Sequence, residues 1–490
     1  MNKKNMGCDL IIFGAKGDLA CRKLLPALYQ LEKKNKLYKN TRIIGVGRAN
    51  WDKTIYSNIV YDSLKKFMND VIVESTWKNF SSRLYFCNID VNYINNFKKL
   101  KNIILLSKNI IINYLAVPPN MFEKICIGLS SINLNIEPTR IIIEKPLGSS
   151  LKTSMEVNDK ISKFFKEHQI FRIDHYLGKE TIQNLLAFRF YNSLFYYNWN
   201  NEFIDHVQIT ISEKIGVEGR LNYFNKVGQL KDMVQNHLLQ ILTMITMSLP
   251  KDLTSDSIRN EKIKILKSLR PFNTNTIQKN LILGQYTSGK INNINVPSYI
   301  DDMNHQISQT KENTETFVSM KIYIDNNQWF GIPFYLRTGK RLPKKCSEIV
   351  VFFKHPMTNI FKKNFNTLPK NKLVLSLQPN EGIQIYILNK KPQLTSQYKL
   401  DLVCLDFNYS DLYQKTQLSD AYEKLLLESM YGIQSLFVRR DEIELAWEWI
   451  DSIFYCLKIK PQNLDLYPAG TWGPERSKTM IVKDGYEWNQ

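Results

Sequence analysis

The stretch Cys8–Ala20 reads CDLIIFGAKGDLA and decides the fold class of the chain. Its apolar start, broken only by Asp9, is typical of a buried β-strand. Gly14 and Gly17 follow, and Ala20 occupies a third small position before a helical pattern. The order strand, glycine-rich turn and helix predicts the first unit of a strand–helix alternation.

The next 130 residues repeat this alternation. Four further apolar runs predict strands: TRIIGVG (Thr41 to Gly47), RLYFCNI (Arg83 to Ile89), NIIINYLAV (Asn109 to Val117) and TRIIIEK (Thr139 to Lys145). Helical patterns lie around Leu19–Lys36, Asn95–Ser107, Met121–Ser130 and Leu151–Phe165. Pro26 falls inside the first, where a proline kinks or restarts a helix. The pattern predicts a Rossmann-type, doubly wound parallel sheet covered on both faces.

The second half of the chain has a different pattern. Its strand-like runs alternate polar and apolar residues: VQITISE (Val207 to Glu213), TFVSMKIYI (Thr316 to Ile324), WFGIPFYLRTG (Trp329 to Gly339), EIVVFF (Glu348 to Phe353), KLVLSL (Lys372 to Leu377) and GIQIYIL (Gly382 to Leu388). They predict a mainly antiparallel sheet with one buried and one solvent-exposed face. A long helix is predicted over Gln229–Leu249, ended by Pro250.

The change of pattern near Asn198–Asn201 predicts the domain boundary. We expect a Rossmann domain over residues 1–199 and a larger α+β domain over residues 200–490. A chain of 490 residues, of which 43% are apolar, is long enough for two such cores.

The net charge of +20 raises the question of nucleic-acid binding. The basic residues are spread along the chain in short pairs such as Lys33-Lys34 and Lys344-Lys345, and no basic tract occurs. Ordinary solvated faces explain this distribution, and a positive surface also attracts small phosphorylated anions. We expect no nucleic-acid partner.

The seven scattered cysteines favour free thiols in a reducing compartment. Lys3 and Lys4 precede an apolar stretch as in a signal peptide, but Asp9 and Asp18 favour a buried strand. No window approaches the roughly 20 apolar residues of a membrane helix. We expect a cytoplasmic protein without a membrane partner or a metal site.

The glycine-rich turn is a candidate dinucleotide site. A helix start presents backbone N–H groups to a pyrophosphate, with Gly14 opening the tight turn and Gly17 allowing close approach. The alternative is that the glycines only form a turn. Arg48, after the second strand, has no acid beside it and predicts NADP rather than NAD. The alternative for Arg48 is a solvated surface arginine.

Several motifs together carry a family resemblance. They are GAKGDLACRKLLP after the first strand, EKPLG (Glu144 to Gly148), RIDHYLGKE (Arg172 to Glu180), EGR (Glu218 to Arg220), KDMVQNH (Lys231 to His237), IPFYLRTGKRL (Ile332 to Leu342), LSLQPNEG and LSDAYEKLL (Leu418 to Leu426). In this order they closely resemble the glucose-6-phosphate dehydrogenase family over nearly the whole chain.

The resemblance implies that His237 is the catalytic base and that Asp174 orients it. On the residues alone, His237 lies on an apolar helical stripe, which is also typical of a core histidine. A carboxylate bonded to one ring nitrogen would fix the tautomer and stabilise the imidazolium.

The remaining roles are also implied by the resemblance. The residues expected to bind substrate are His175, Tyr176, Lys179 and Lys340 at the phosphate pocket, Lys145, Glu213 and Asp232 at the sugar, and Lys23 near the reacting centre. Those expected to contact the cofactor are Gly14, Gly17, Asp18, Leu19, Arg48, Pro118, Lys145 and Pro146. Without the resemblance, Lys179 is an ordinary surface lysine and Asp232 an exposed helix residue.

The implied activity is NADP-dependent oxidation of glucose 6-phosphate to 6-phospho-D-glucono-1,5-lactone, the first oxidative step of the pentose phosphate pathway. A homodimer or homotetramer is expected. Three departures stand out: Lys16 between the glycines, Cys21 where lysine is usual, and no second base beside Arg48, which leaves NAD use open. The alternatives are another NADP-dependent sugar oxidoreductase, an inactive relative, or a basic binding protein.

Overall fold

The computed structural model describes residues 7–68, 70–104, 109–304, 313–358, 368–394, 399–413 and 419–489. The chain forms two compact units. The first unit comprises Met1–Gly178, Pro250–Asn260 and Ser419–Glu444, and the second comprises Lys179–Leu249, Glu261–Leu418 and Leu445–Gln490. Among the described residues, no helix combines the length and apolar character needed to cross a membrane.

The first unit is built on a seven-stranded sheet. Its strands are β1 (Cys8–Phe13), β2 (Arg42–Gly47), β3 (Leu84–Asn88), β4 (Ile110–Leu115), β5 (Arg140–Ile143), β6 (Ile170–Ile173) and β17 (Phe437–Val438). Their order is β17-β6-β5-β4-β1-β2-β3. Strands β1 to β6 are parallel, and β17 is antiparallel to β6. The predicted doubly wound parallel sheet is therefore confirmed.

Helices cover both faces of this sheet. They are α1 (Leu25–Lys33), α2 (Lys53–Phe67), α3 (Glu74–Ser82), α4 (Phe97–Ile104), α5 (Phe122–Ser131), α6 (Leu151–Ser162) and α15 (Ala421–Tyr431). Leu10 and Ile12 of β1 join the core that contains α1 and α15, whereas Phe13 packs 6.3 Å from Phe97 of α4. Every residue of β1 is buried, which is why its sequence shows no polar alternation.

Strand β6 was not predicted because Arg172 interrupts its apolar run. The side chain of Arg172 is nevertheless buried. Its Nη2 lies 3.0 Å from Oε2 of Glu167, and its Nε donates to Asn158 at 3.1 Å. A paired and hydrogen-bonded arginine can occupy a buried strand.

The first helix restarts at its proline, as the sequence predicted. Ala20–Leu24 is a π-helical segment, and α1 begins at Leu25 with Pro26 in its first turn. A proline there removes no needed hydrogen bond. The predicted helix over Asn95–Ser107 appears as a 3₁₀ turn, Ile94–Asn96, followed by α4. Its last three positions lie outside the described residues.

The second unit contains a nine-stranded sheet. Its strands are β7 (Ile204–Ser212), β8 (Leu281–Thr287), β11 (Phe317–Ile322), β12 (Phe334–Gly339), β13 (Cys346–Phe353), β14 (Lys372–Gln378), β15 (Gly382–Lys390), β16 (Leu400–Asn408) and β18 (Asp465–Pro468). The order is β16-β15-β14-β13-β7-β12-β11-β8-β18. Six pairings are antiparallel, and β7–β12 and β8–β18 are parallel. The mainly antiparallel sheet is confirmed.

The remaining elements complete the chain. A small hairpin joins β9 (Gly289–Ile291) to β10 (Ile294–Val296). The second unit also holds α7 (Glu180–Tyr191), α8 (Ser193–Tyr196), α9 (Leu221–Gln229), α10 (Leu239–Thr246), α12 (Ile277–Asn280), α13 (Tyr299–Asn304), α14 (Tyr409–Leu412) and α17 (Glu475–Val482). Two further helices are α11 (Ser255–Lys267) and α16 (Arg440–Ile459).

The prediction of a solvent-exposed face is wrong for the centre of this sheet. All six residues of β12 are buried. The guanidinium of Arg337 lies 4.5 Å from the ring of Trp472 and 4.2 Å from that of Trp488. Arg337, a polar position of the alternating pattern, therefore faces C-terminal aromatic side chains rather than water, and the cation–π contacts make its burial tolerable. Solvent exposure increases toward the edges of the sheet, where most residues of β16 and half of those of β18 are exposed.

Candidate functional site

The glycine-rich turn of the first unit closes tightly against β4. Gly14 has φ +85°, and a Cβ there would lie 2.3 Å from the carbonyl oxygen of Ala116. The backbone N–H of Gly14 donates to Val46 at 3.0 Å, and that of Gly17 donates to Gly14 at 2.8 Å. Only glycine fits the first position, and the turn leaves a shallow cradle at the end of β1.

A cleft of about 750 Å³ opens beside this turn. It is lined by residues that follow β1, β2, β3 and β4, including Gly14, Arg48, Asn92 and Pro118. Ligands of open α/β sheets bind at the carboxyl ends of the strands, where this cleft lies. Its size, and a turn that a Cβ would fill, fit a dinucleotide.

Two cations, Lys16 and Arg48, and three aromatic residues, Phe13, Trp51 and Phe86, are among the residues that line the cleft. The ammonium of Lys16 lies 5.7 Å from the ring of Trp51, and Phe86 packs 5.0 Å from the same ring. Arg48 is exposed at the rim. The arrangement offers aromatic surface for a nucleotide base and two positive charges for phosphate oxygens.

The predicted cofactor residues divide into two groups. Those lining the cleft are Gly14, Arg48 and Pro118, whereas Gly17, Asp18, Leu19, Lys145 and Pro146, all within the described chain, do not line it. Asp18 pairs with Arg22 at 2.9 Å on an exposed surface. Lys23, predicted near the reacting centre, lies 3.9 Å from Asp420.

Lys145 and Asp174 follow neighbouring strands. Ile143 of β5 pairs with Arg172 of β6, and each predicted residue comes two positions after its strand partner. Both side chains therefore belong to the carboxyl edge of the sheet, where such sheets bind ligands. Asp174 is buried, and its Oδ1 accepts from the backbone N–H of Tyr176 at 3.0 Å.

Glu144 connects this edge to a helix far along the chain. Its Oε1 accepts from the hydroxyl of Tyr114 at 2.6 Å and of Tyr422 at 3.2 Å. Burial raises the pKa of Glu144. The ring of Tyr422 in turn stacks on the predicted phosphate ligand His175, 6.3 Å between centroids and 13° between planes. The network holds in place Glu144, which immediately precedes Lys145, and the ring of His175.

In the second unit, Glu213 and Lys340 meet at the ends of two parallel strands. Ser212 of β7 pairs with Gly339 of β12, so the next residue of each strand lies at the same level. Glu213 Oε2 is 2.7 Å from Lys340 Nζ. The hydroxyl of Tyr467 donates to the Lys340 carbonyl at 2.8 Å, which fixes the backbone at this position.

His237 and Asp232 lie on a π-helical segment, Leu230–Leu238, rather than on the α-helix predicted over Gln229–Leu249. The segment is buried on most sides, and His237 is 1% exposed. Asp232 is hydrogen-bonded to Tyr223, whose pKa is raised by burial and by this carboxylate. π-Helical turns occur frequently at functional sites, where they direct side chains that an α-helix would not group together.

Lys179 immediately precedes α7, and its carbonyl accepts from Gln183 at 3.0 Å. The start of α7 is held by Glu381 of the LSLQPNEG motif. Its carboxylate accepts from the backbone N–H of Thr181 at 2.8 Å and from the hydroxyl at 3.0 Å. The motif thus has a local role in fixing the turn that presents Lys179.

Sequence reasoning missed some residues of these sites. Trp51 and Phe86 had no distinguishing local signal, and only the pairing of β2 with β3 brings their segments together. Tyr223 could have been identified from the sequence, because it lies just after the EGR motif. Glu315, which contacts the start of the π-helical segment, lies far from it in sequence.

Comparisons with known proteins agree along the whole chain. The family model described as glucose-6-phosphate dehydrogenase, NAD binding domain, matches residues 11–184, and that of the C-terminal domain matches residues 186–489. The first match indicates a nicotinamide dinucleotide cofactor. No second family is needed to account for either half.

Individual relatives give the same result. The chain is 76% identical to glucose-6-phosphate 1-dehydrogenase of Buchnera aphidicola subsp. Baizongia pistaciae over 490 residues, 100% of both chains. It is 51% identical to that of Dickeya dadantii over 483 residues, 99% of this chain and 98% of the relative. A solved glucose-6-phosphate dehydrogenase in complex with its substrate glucose-6-phosphate superposes with a TM-score of 0.90 at 32% identity, over 100% of both chains. The chain belongs to the glucose-6-phosphate dehydrogenase family.

Proposed function

We propose that this chain oxidises C1 of glucose 6-phosphate to 6-phospho-D-glucono-1,5-lactone and reduces NADP⁺ to NADPH, the first oxidative step of the pentose phosphate pathway. The observation that carries the proposal is the full-length agreement with a relative solved with glucose-6-phosphate. The dinucleotide cleft and the Glu213–Lys340 pair supply the chemistry that such a reaction requires.

The reaction needs a base for the C1 hydroxyl proton. We assign this role to His237, with Asp174 holding the imidazole in the reactive tautomer and stabilising the imidazolium. Both side chains are almost fully buried. A base shielded from water exchanges protons with the substrate rather than with the solvent.

Cations are needed for the sugar phosphate. We assign the phosphate to His175, Tyr176, Lys179 and Lys340, and the sugar hydroxyls to Lys145, Glu213 and Asp232, with Lys23 near the reacting centre. Support comes from contacts that anchor four of these positions. Tyr422 stacks on His175, and Glu381 holds the turn that follows Lys179. Tyr467 binds the carbonyl of Lys340, and Tyr223 is hydrogen-bonded to Asp232. Preorganised charges bind a dianion without paying ordering entropy at each encounter.

The cofactor proposed is NADP, with a nicotinamide ring that accepts the hydride when bound. Arg48 and Lys16 both line the cleft and would hold the 2′-phosphate, since no acid follows β2 to bind a free ribose hydroxyl. Lys16 therefore supplies a second basic side chain, which the sequence neighbours of Arg48 do not provide. Gly14, Gly17, Asp18 and Leu19 form the turn for the pyrophosphate, and Pro118, Lys145 and Pro146 approach the nicotinamide.

The remaining assignments are also proposals. We place NADP binding and the RIDHYLGKE segment in residues 1–199, and the rest of substrate binding together with assembly in residues 200–490, near the junction of the two family models. Exposed apolar side chains on β15 and β16, Ile387, Val403 and Leu405, favour a homodimer or homotetramer formed through this sheet. A cytoplasmic location fits the scattered cysteines.

A direct absorbance assay of NADPH formation tests the proposal. Purified protein with glucose 6-phosphate and NADP⁺ should produce NADPH, and omission of either compound should abolish the signal. Absence of sugar-dependent NADPH formation by folded protein would overturn the function. Salt-sensitive oligonucleotide binding without turnover would instead favour the basic binding protein.

A further inference from the structure

Glu315, just before β11, holds the start of the π-helical segment with two different groups. Its Oε1 accepts from the backbone N–H of Leu230 at 3.1 Å. The main-chain carbonyl of Glu315 accepts from the backbone N–H of Gln229, the residue before Leu230, at 3.0 Å. The successive N–H groups of Gln229 and Leu230 are therefore satisfied by one residue, which lies 85 positions after Leu230.

The backbone at this point is shaped to receive the carboxylate. Gly228 has φ 71° and ψ 173°, which breaks the helical path between α9 and the segment. A Cβ at Gly228 would lie 2.3 Å from Glu315 Oε1. Glycine is required here both for the positive φ and for the approach of the carboxylate.

The anchored end is linked to groups of the proposed site. Gln229 donates through its side-chain amide to Thr338 at 2.8 Å, two residues before Lys340. The next turns of the segment carry Asp232 and His237. A shift at Leu230 would therefore move the proposed base and a proposed sugar ligand together.

We propose that Glu315 is a positioning residue for the reaction: by accepting the Leu230 N–H it fixes the register of the segment that presents Asp232 and His237. This inference rests on the proposed function. Glu315 does not touch reacting atoms in this assignment, and it acts through the backbone that it holds.

The electrostatic surroundings are consistent with this role. Burial raises the pKa of Glu315 to about 7, and the nearby charge of Lys231 opposes the shift. Burial raises the pKa of the nearby Tyr299 hydroxyl to about 12, and the charge of Glu315 contributes to that rise. The carboxyl group is thus present in both protonation states near neutrality, and either state offers an oxygen to Leu230.

The test compares three variants of the full chain. Glu315→Ala removes the acceptor, Glu315→Gln retains an acceptor of the same shape, and Thr314→Val is the matched control. The hydroxyl of Thr314 bonds to Asn225 of α9 at 2.8 Å, so its loss perturbs the same loop without touching Leu230.

We expect Glu315→Ala to lower kcat by about 10- to 100-fold, as for small displacements of catalytic groups. Glu315→Gln should retain most of the wild-type kcat, and all three should keep the wild-type KM for NADP⁺.

Hydrogen–deuterium exchange gives a readout that does not depend on turnover. Glu315→Ala should accelerate exchange of the Leu230–Leu238 amides, whereas Glu315→Gln and Thr314→Val should not. A wild-type protein without activity would overturn the proposed function, and the exchange data would still decide the anchoring. The inference is overturned if Glu315→Ala leaves exchange or kcat unchanged, if Thr314→Val has the same effect, or if Glu315→Gln behaves as Glu315→Ala.

Discussion

Lys340 Nζ lies 2.7 Å from Glu213 Oε2, although the two residues are 127 positions apart. Each follows the last residue of its strand, and the two strands are parallel neighbours. Lys340 is 2% exposed, and its ammonium also lies 5.0 Å from the ring of Phe224. A charge held this firmly is already placed for a phosphate or a sugar hydroxyl.

Lys340→Met is predicted to weaken sugar-phosphate binding selectively. Removal of one charged hydrogen bond costs about 1.5–3 kcal/mol, which corresponds to a rise of about 10- to 100-fold in the KM for glucose 6-phosphate. The KM for NADP⁺ should stay near its wild-type value. Initial rates with each substrate varied measure both, and Lys345→Met at an exposed position is the control. Equal increases in both KM values would contradict the assignment of Lys340.

Gly14→Ala is predicted to impair cofactor binding. The new Cβ would meet the Ala116 carbonyl at 2.3 Å in a residue with φ +85°. Backbone strain of about 1–3 kcal/mol would then fall on the turn that holds the pyrophosphate. NADPH titration by fluorescence should show a Kd raised on the order of tenfold or more.

Gly331→Ala is the control for this experiment. Gly331 has the same φ of +85° but nothing within 4 Å of a Cβ. It should lower thermal stability with an unchanged Kd for NADPH. A normal Kd in the Gly14 variant would show that the turn does not contact the cofactor.

Arg48→Ala and Lys16→Ala are predicted to reduce the preference for NADP⁺ over NAD⁺. Each loses one cation from the cleft, so kcat/KM for NADP⁺ should fall by about 10- to 100-fold while that for NAD⁺ changes little. Lys53→Ala is the matched control, because its ammonium lies over Tyr85 at 4.5 Å and does not line the cleft. Unchanged selectivity in both cleft variants would refute the NADP assignment.

His237→Asn is predicted to lower kcat by roughly 10²–10⁴ because the proton of the C1 hydroxyl loses its acceptor. Circular dichroism and thermal unfolding should show that the fold is retained. His168→Asn, at an exposed position, should turn over normally. Near-normal kcat in the His237 variant would remove this residue from the role of base.

Glu315→Gln is predicted to change the pH dependence of stability. The pKa of Glu315 is about 7 in the folded protein against an ordinary value of 4.5. Between these values the folded state binds more protons than the unfolded state, so the wild type loses stability as pH rises. The Tm difference, variant minus wild type, should increase from pH 4.5 to about 7 and stay constant above. A difference that falls over this range would contradict the raised pKa.

The strands of the first unit show which parts of the fold were predictable. Strands β1 to β5 were predicted from apolar runs, because a strand buried on both faces needs no partner to be recognised. β6 was missed because Arg172 is buried only by virtue of Glu167 and Asn158. β17 has two residues and exists through its pairing with β6.

The class of each half of the chain, the glycine turn and the family were predictable, because they follow from local spacing and from motifs. Three contacts could be found only in the folded chain: Lys16 lines the same cleft as Arg48, Lys340 pairs with Glu213, and Glu315 holds Leu230. The folded chain also shows that the segment with His237 is a π-helix. The physical reason is that these features depend on contacts between residues far apart in the chain. A local sequence pattern does not show which distant residue will contact a given side chain.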